Sequence, residues 1–341
     1  NNIPYPDFGA FDNALLHKPM QGKMYKMLTI EASRGCVHKC TYCENSVLGD
    51  FYSESGSGTY YRKMDMPKII DQIKSQVETY ACDFIYFSSE YFLALSKKDF
   101  DYFIKEYSKI KIPFYFQTRF ETVKGDRLKA LKEVGMNWMS CALEHGNEDF
   151  RRKYLKRGYR NDMVIRSIEI LKENNIGATI QNIMGFPYEN RELIFETINF
   201  CKKLYRIHNE LQFNIFMFTP YRSCTMYKTC KDEGLLPEND DDIYGYPFDS
   251  TTALMFSPEY KKELSGLYKT FNLYIKLPDE YIPQIKIAEK DDEEGKKLFD
   301  EVTGLIGSVS NIVSTTVNYL GLFSSENRGR RTAPVQQNVN Q

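Results

Sequence analysis

Leu28-Thr29-Ile30-Glu31-Ala32-Ser33-Arg34-Gly35-Cys36-Val37-His38-Lys39-Cys40-Thr41-Tyr42-Cys43 carries the two signals on which the reading of this chain turns. A short apolar run at 28–32 is followed at once by three Cys at positions 36, 40 and 43. Runs of this length with β-branched residues read as short buried strands. The thiols therefore stand where a loop leaves a strand's carboxyl end.

Outward from this stretch the same rhythm repeats. Apolar or β-branched runs fall at 83–88, 113–118, 138–143, 177–184 and 211–218. Between them lie helical periods at 67–80, 97–109, 124–134, 161–175 and 190–206, with Ile69, Ile70, Ile73 and Val77 on one face of the first. Gly135 and Gly177 stand where helices are expected to stop, and Asn161 and Asn190 where they are expected to start. Six strands alternating with five helices imply a parallel sheet, because a parallel neighbour is reached only by a crossover. A doubly wound sheet and a partial barrel both fit that rhythm, and both place chemistry beyond the strands' carboxyl ends.

Residues 1–27, rich in Pro, Gly and aromatics, read as a lead-in packed over another body. The chain opens Asn1-Asn2 without Met and reads as a piece or a processed product, with no apolar signal segment near its start. Beyond about 226 an acidic loop (238–242) precedes helical periods at 258–275, 279–289 and 291–302. Residues 305–323 are uncharged but interrupted by Ser, Thr and Asn. They read as a helix packed on the body rather than one in a membrane interface, and the stretch from Ser324 as a disordered tail.

Over 341 residues, 45 Lys and Arg against 46 Asp and Glu give a net charge of -1, which lacks the basic excess of a broad nucleic-acid footprint. Eight Cys are too few for a disulfide scaffold at this length. Their clustering points to a metal site in a reducing, cytoplasmic compartment. An iron–sulfur cluster normally takes four Cys thiolates, so a three-Cys loop leaves one iron open to an exogenous molecule. A zinc site with His38 as fourth ligand, and three unligated thiols, are the alternatives. The zinc spacing is poor because Cys36 and His38 are only two apart.

The CxxxCxxC loop after the first strand, with Tyr42 before the last Cys, resembles the radical S-adenosylmethionine (SAM) superfamily. The wider pattern is similar to its cobalamin-dependent branch. It comprises Pro19-Met20-Gln21-Gly22, Leu143-Glu144-His145-Gly146-Asn147-Glu148, Leu155-Lys156-Arg157, Gly185-Phe186-Pro187 and Phe271-Asn272-Leu273-Tyr274-Ile275-Lys276-Leu277-Pro278. The resemblance covers about residues 1–300. It implies a partial (β/α)6 TIM-like barrel with a C-terminal helical extension: lead-in 1–27, core 28–225, helical extension 226–303, and a packing helix with a tail over 304–341.

It further implies a [4Fe–4S] cluster on Cys36, Cys40 and Cys43, and SAM as the molecule on the open iron. By position, Glu90 matches the acceptor for the SAM ammonium, with Ser88 and Ser89 where relatives carry Gly. Glu144 matches the ribose ligand, and Arg157 the partner of the SAM carboxylate, with Arg151, Arg152 and Arg160 as competitors. Gln181 matches a polar site near the ribose, Gly185 the close approach of backbone to adenine, and Tyr42 an aromatic beside the cluster. Gln117 and Arg119 are substrate-side candidates, and Cys224 reads as an incidental small residue. The implied activity is reductive cleavage of SAM for radical methyl transfer or rearrangement. The substrate is a small molecule, lipid or peptide, the reductant a flavodoxin or ferredoxin, and cobalamin comes from a domain upstream of residue 1. A methylthiotransferase-like enzyme and a non-enzyme iron–sulfur carrier or zinc module are the rivals.

Overall fold

Gln21 and Gly22 both adopt positive φ, 51° and 74°, as a two-residue hairpin turn requires. They fold β1 (His17–Met20) back on β2 (Lys23–Ile30) in antiparallel register. From residue 17 onward the lead-in is therefore part of the sheet rather than a cover over it. Pro19 cannot donate to a ladder, and β1 accordingly lies at the sheet's edge.

The computed structural model describes residues 4–239, 241–244 and 251–309. A two-residue ribbon pairs β3 (Ser33–Arg34) with β4 (Arg62–Lys63), and α1 (Glu44–Glu54) lies between them. There follow α2 (Met66–Tyr80), β5 (Phe84–Phe87), α3 (Lys97–Tyr107), β6 (Phe114–Thr118), α4 (Gly125–Glu133) and β7 (Met136–Glu144). Then come α5 (Glu148–Lys153), α6 (Asn161–Glu173), β8 (Ala178–Met184), α7 (Arg191–Ile207), β9 (Leu211–Met217) and α8 (Thr225–Asp232). The C-terminal helices are α9 (Asp241–Tyr244), α10 (Pro258–Lys276), α11 (Ile282–Ala288) and α12 (Glu293–Val309). The rest of 305–323, and the tail from Ser324, lie outside the described residues.

The seven-stranded sheet runs β1-β2-β5-β6-β7-β8-β9, parallel throughout except for β1. Strand order follows chain order without a reversal. That is the wall of a partial barrel, and it excludes the doubly wound alternative, whose order must switch.

Local chemistry fixes the ends of the elements. Asn190 caps α7 by accepting from the Leu193 N–H at 3.0 Å, and Ser257 caps α10 just ahead of Pro258. Four helices have no counterpart in the sequence periods: α1, α5, α8 and α9. The first buries only Ser46 and leaves Leu48 and Phe51 exposed, so it has no apolar stripe to read.

Alternation along the strands divides the sheet. Leu28, Ile30, Ile85, Phe87, Met139 and Ile180 point to the helices and share one large core with Ile73, Phe103, Leu131, Val164 and Ile198. The opposite, concave face is lined by a separate group that includes Phe84, Tyr115, Tyr86 and Trp138. Trp138 donates from Nε1 to Thr179 Oγ1 at 2.9 Å, and its ring rests on Gly177. A Cβ at 177 would come within 1.9 Å of that ring. Gly177 thus seats an indole and does not stop a helix. The stop comes earlier, where α6 ends at Asn174 and Asn175 turns left-handed at φ 51°. Gly177→Ala should cost about 1–3 kcal/mol by overpacking, read as a lower denaturation midpoint with a shifted Trp138 emission. An unchanged midpoint and spectrum would refute the contact.

Candidate active site at the carboxyl ends of the strands

The cysteine loop is held from several sides. The Ser33 N–H donates to buried Ser89 Oγ at 2.9 Å, tying the loop's start to the end of β5. Gly35 has φ +85°, and a Cβ there would lie 2.7 Å from the Tyr60 carbonyl, so only glycine fits. Thr41 Oγ1 donates to the Tyr154 carbonyl, the Thr41 N–H reaches the Leu155 carbonyl, and the Met226 N–H donates to the Thr41 carbonyl. The loop is therefore clamped between the segment after α5 and the start of α8.

Cys36 and Cys43 are half-buried and Cys40 is buried. Burial pushes the Cys36 and Cys43 thiols up, and the neighbouring Cys40 and Glu90 charges push the same way. Asn45 Nδ2 donates to Cys43 Sγ at 3.6 Å and works against that rise. Glu90, exposed in the turn after β5, thus lies within electrostatic reach of two of the three thiols. Among the described residues, no three His, Cys, Asp or Glu side chains converge closely enough to hold a single metal ion. His38 packs edge-on against Tyr91, with ring centroids 5.4 Å apart, and burial lowers its pKa so that the ring is neutral.

Behind Cys40 two guanidiniums converge. Arg119 Nη1 lies 3.9 Å and Arg157 Nη1 4.0 Å from its sulfur. Arg119 is held by Glu121, and both arginines lie over the Tyr159 ring. Arg157 also donates to Glu144 Oε1 at 3.2 Å, Tyr42 Oη at 3.0 Å and the Ala142 carbonyl at 2.7 Å. Tyr42 completes the ring by donating to Glu144 Oε1 at 2.7 Å. Burial opposes the Arg157 charge, but Tyr159, Tyr42, Glu144 and Cys40 together hold it protonated more firmly than usual. Burial pushes the Tyr42 phenol well up, so it stays a donor.

Glu144 takes its place through backbone strain. It has φ 65° at the end of β7, where the register with β8 slips between Ala142 and Glu144. A left-handed non-glycine residue at a bulge re-aims a side chain at a local cost. Gln181 sits opposite Ala142 on β8. Its Nε2 donates to Ser140 Oγ at 2.9 Å, while its buried Oε1 has no hydrogen-bond partner. Gly185 has φ +85°, and a Cβ there would meet Met217 Sδ at 2.8 Å. Its N–H and that of Phe186 both donate to Glu189.

The structure thus brings Cys40, Tyr42, Glu144 and Arg157 into one contact network, with Glu90 on the open side of the thiols. Gln181 on the neighbouring strand β8 and Gly185 just past its end lie outside that network. The four arginines named from the sequence occupy different surroundings, and among them Arg157 joins this network. Arg151 is fully buried and donates to the His145, Gly146 and Tyr159 carbonyls, while Arg152 and Arg160 pair with Asp149 and Asp162 at the surface. Two acidic residues escaped the sequence reading, Glu121 behind Arg119 and Glu189 beneath Gly185. Cys224 is buried and its thiol is pushed up to about 12 by that burial, with Cys43 and Glu44 adding to the rise.

Residues 30–201 match the model of the radical SAM superfamily, and the chain belongs to that superfamily. An uncharacterized methyltransferase of Pyrococcus horikoshii is 24% identical over 176 residues, 51% of this chain and 36% of that protein. Among solved structures, the cobalamin-dependent S-adenosylmethionine radical enzyme OxsB, with aqua-cobalamin and SAM bound, shares the fold. Its TM-score is 0.53 at 16% identity, over 80% of this chain and 45% of that one. The radical SAM methyltransferase TsrM from Kitasatospora setae aligns with a TM-score of 0.49 at 13% identity, over 60% of this chain and 36% of that one. The chain spans less than half the length of each of these proteins.

Proposed function

We propose that this chain is the catalytic domain of a radical SAM methyltransferase, with Cys36, Cys40 and Cys43 as the protein ligands of its [4Fe–4S] cluster. The observation that carries the reading is the buried Cys40 thiol bracketed by Arg119 and Arg157. A thiolate so deep in the protein needs compensating charge, and an anionic cluster there needs more. When bound, the cluster supplies an electron to the sulfonium of SAM, yielding methionine and a 5′-deoxyadenosyl radical.

The chain's own residues fit the rest of that nucleoside. Glu90 beside Cys36 and Cys43 accepts from the ammonium group. Arg157 keeps a buried Nε–H without a partner, a donor for the carboxylate, and such orphans in a folded protein ask for an explanation. The unpartnered Gln181 Oε1 and the Glu144 carboxylate accept from ribose hydroxyls, while Tyr42, edge-on to Phe186 at 5.9 Å, packs beside the cluster. Gly185 contributes room for close approach, since its N–H already serves Glu189.

Methyl transfer is favoured over rearrangement by the name of the Pyrococcus horikoshii relative. Cobalamin enters the reading through the cobalamin-dependent fold neighbour, and no residue described here is assigned to it. A small-protein reductant and a cytoplasmic location complete the proposal. No helix of the described residues is long and apolar enough to cross a membrane.

Purified without oxygen, the chain should be brown, carry about four irons, and release 5′-deoxyadenosine from SAM under reductant. One zinc per chain without colour would favour the zinc module. Colour without SAM cleavage, with dithionite as reductant, would favour the electron carrier.

A further inference from the structure

We infer that the concave face of the half-barrel takes an uncharged substrate with a flat unsaturated part and amide or hydroxyl groups at its edge. The inference rests on the proposed SAM site and names the substrate class that site serves.

On the parallel strands every second side chain packs on the helices, and the others face the concavity that ends at Glu144. Two kinds of residue fill those positions. Tyr86 and Trp138, backed by the buried Phe84 and Tyr115, make an aromatic wall, in which Tyr86 and Tyr115 stack at 5.1 Å and 17°. Gln117, Gln181, Gln212 and Asn214 make a staggered row of amides, and Gln117 Nε2 donates to Tyr86 Oη at 2.6 Å. Ser140 and Thr179 join wall to row, the one bonded to Gln181 and the other to Trp138.

Ionised groups are confined to the strand-end rim of this lining, where Arg119 is held by Glu121 and Arg157 by Glu144. Among the concave positions of the parallel ladder, only Glu144 carries a charge, and Arg157 and Tyr42 already hold it. A charged substrate group entering here would lose water without gaining a counter-ion. A flat neutral group would instead stack on the aromatic wall and exchange hydrogen bonds with the amides, which both donate and accept.

Trp138 is the chain's only Trp, so its emission reports on this face directly. The test titrates the anaerobic chain with three flat probes of equal size, benzamide, benzoate and benzamidinium. Benzamide should quench Trp138 saturably and at least about tenfold more tightly than either ion. Gln117→Glu places a carboxylate in the row and should bring benzamidinium ahead of benzamide. A general loss of structure would not produce that reversal.

Benzoate binding as tightly as benzamide overturns the inference. So does tight benzamidinium binding to the unaltered chain, the outcome of a cation–π site. Absence of any saturable quenching overturns it too. Iron content and 5′-deoxyadenosine release, measured on the same preparation, report on the cofactor reading alone. A chain that loads iron, cleaves SAM and ignores benzamide refutes only the substrate class. Selective benzamide binding in a chain that takes up no iron supports the face chemistry and refutes the cofactor reading.

Discussion

Cys40→Ala is expected to give a folded chain with no stable cluster and with 5′-deoxyadenosine release reduced to background. Cys40 is the deepest of the three thiols, 6% exposed, and it faces both arginines. Removing it leaves two thiols, too few to retain a cluster that normally takes four Cys thiolates. The fold should survive, because the substitution deletes one sulfur atom beside a loop held by Thr41, Ser33 and the Met226 N–H. Iron per chain, visible absorbance and nucleoside release measure the first part, and the far-ultraviolet circular dichroism spectrum measures the second. Cys36→Ala and Cys43→Ala should behave alike. Iron content and SAM cleavage left intact by any of the three would remove the basis of the proposed function.

The second large effect concerns the ion pair beneath that thiol. Arg157→Met should destabilise the chain by about 3–5 kcal/mol, since it leaves the Glu144 carboxylate buried without its partner. Glu144 and Arg157 are 6% and 4% exposed, so solvent cannot take over the lost contacts. Glu144→Gln in the Arg157→Met background should recover part of that loss, because it removes the stranded charge while keeping an oxygen for the Tyr42 hydroxyl. Denaturant titration of the two singles and the double closes the cycle. Additive losses would show that Arg157 and Glu144 do not act on each other.

The strand and helix rhythm was legible because each element buries one face, and burial imposes a period on the residues that supply it. Five helical periods and six apolar runs fall on α2, α3, α4, α6, α7 and the six parallel strands. The helices without a counterpart are α1, α5, α8 and α9; α1 buries only Ser46, and the other three have eight residues or fewer. Without a stripe there is no period to read. The β1–β2 hairpin was hidden for another reason. Its turn residue Gln21 is a side chain in a glycine-favoured conformation, and composition does not reveal that choice.

At the site, the cysteines were readable because all three thiols come from eight consecutive residues. Glu144 and Arg157 could be named through resemblance, but not their mutual grip nor the approach of Arg157 to Cys40, which lies 117 residues away in the chain. Glu121 and Glu189 contact near neighbours in sequence, and were overlooked because loop residues have no period. Each earns its place by which backbone N–H or guanidinium it meets, and a lone Glu in a loop gives no sign of that.

By itself the sequence determined the alternation of strands and helices, the three-thiol loop and the sheet end on which it sits. These are local properties, set by periodicity and by spacing along the chain. The family resemblance implied the barrel, and only the tertiary structure excluded the doubly wound alternative, set Arg157 rather than its neighbours against Cys40 and Glu144, and put Gly177 under the Trp138 ring. Those outcomes depend on distances between segments far apart in sequence, which packing fixes and no local pattern encodes.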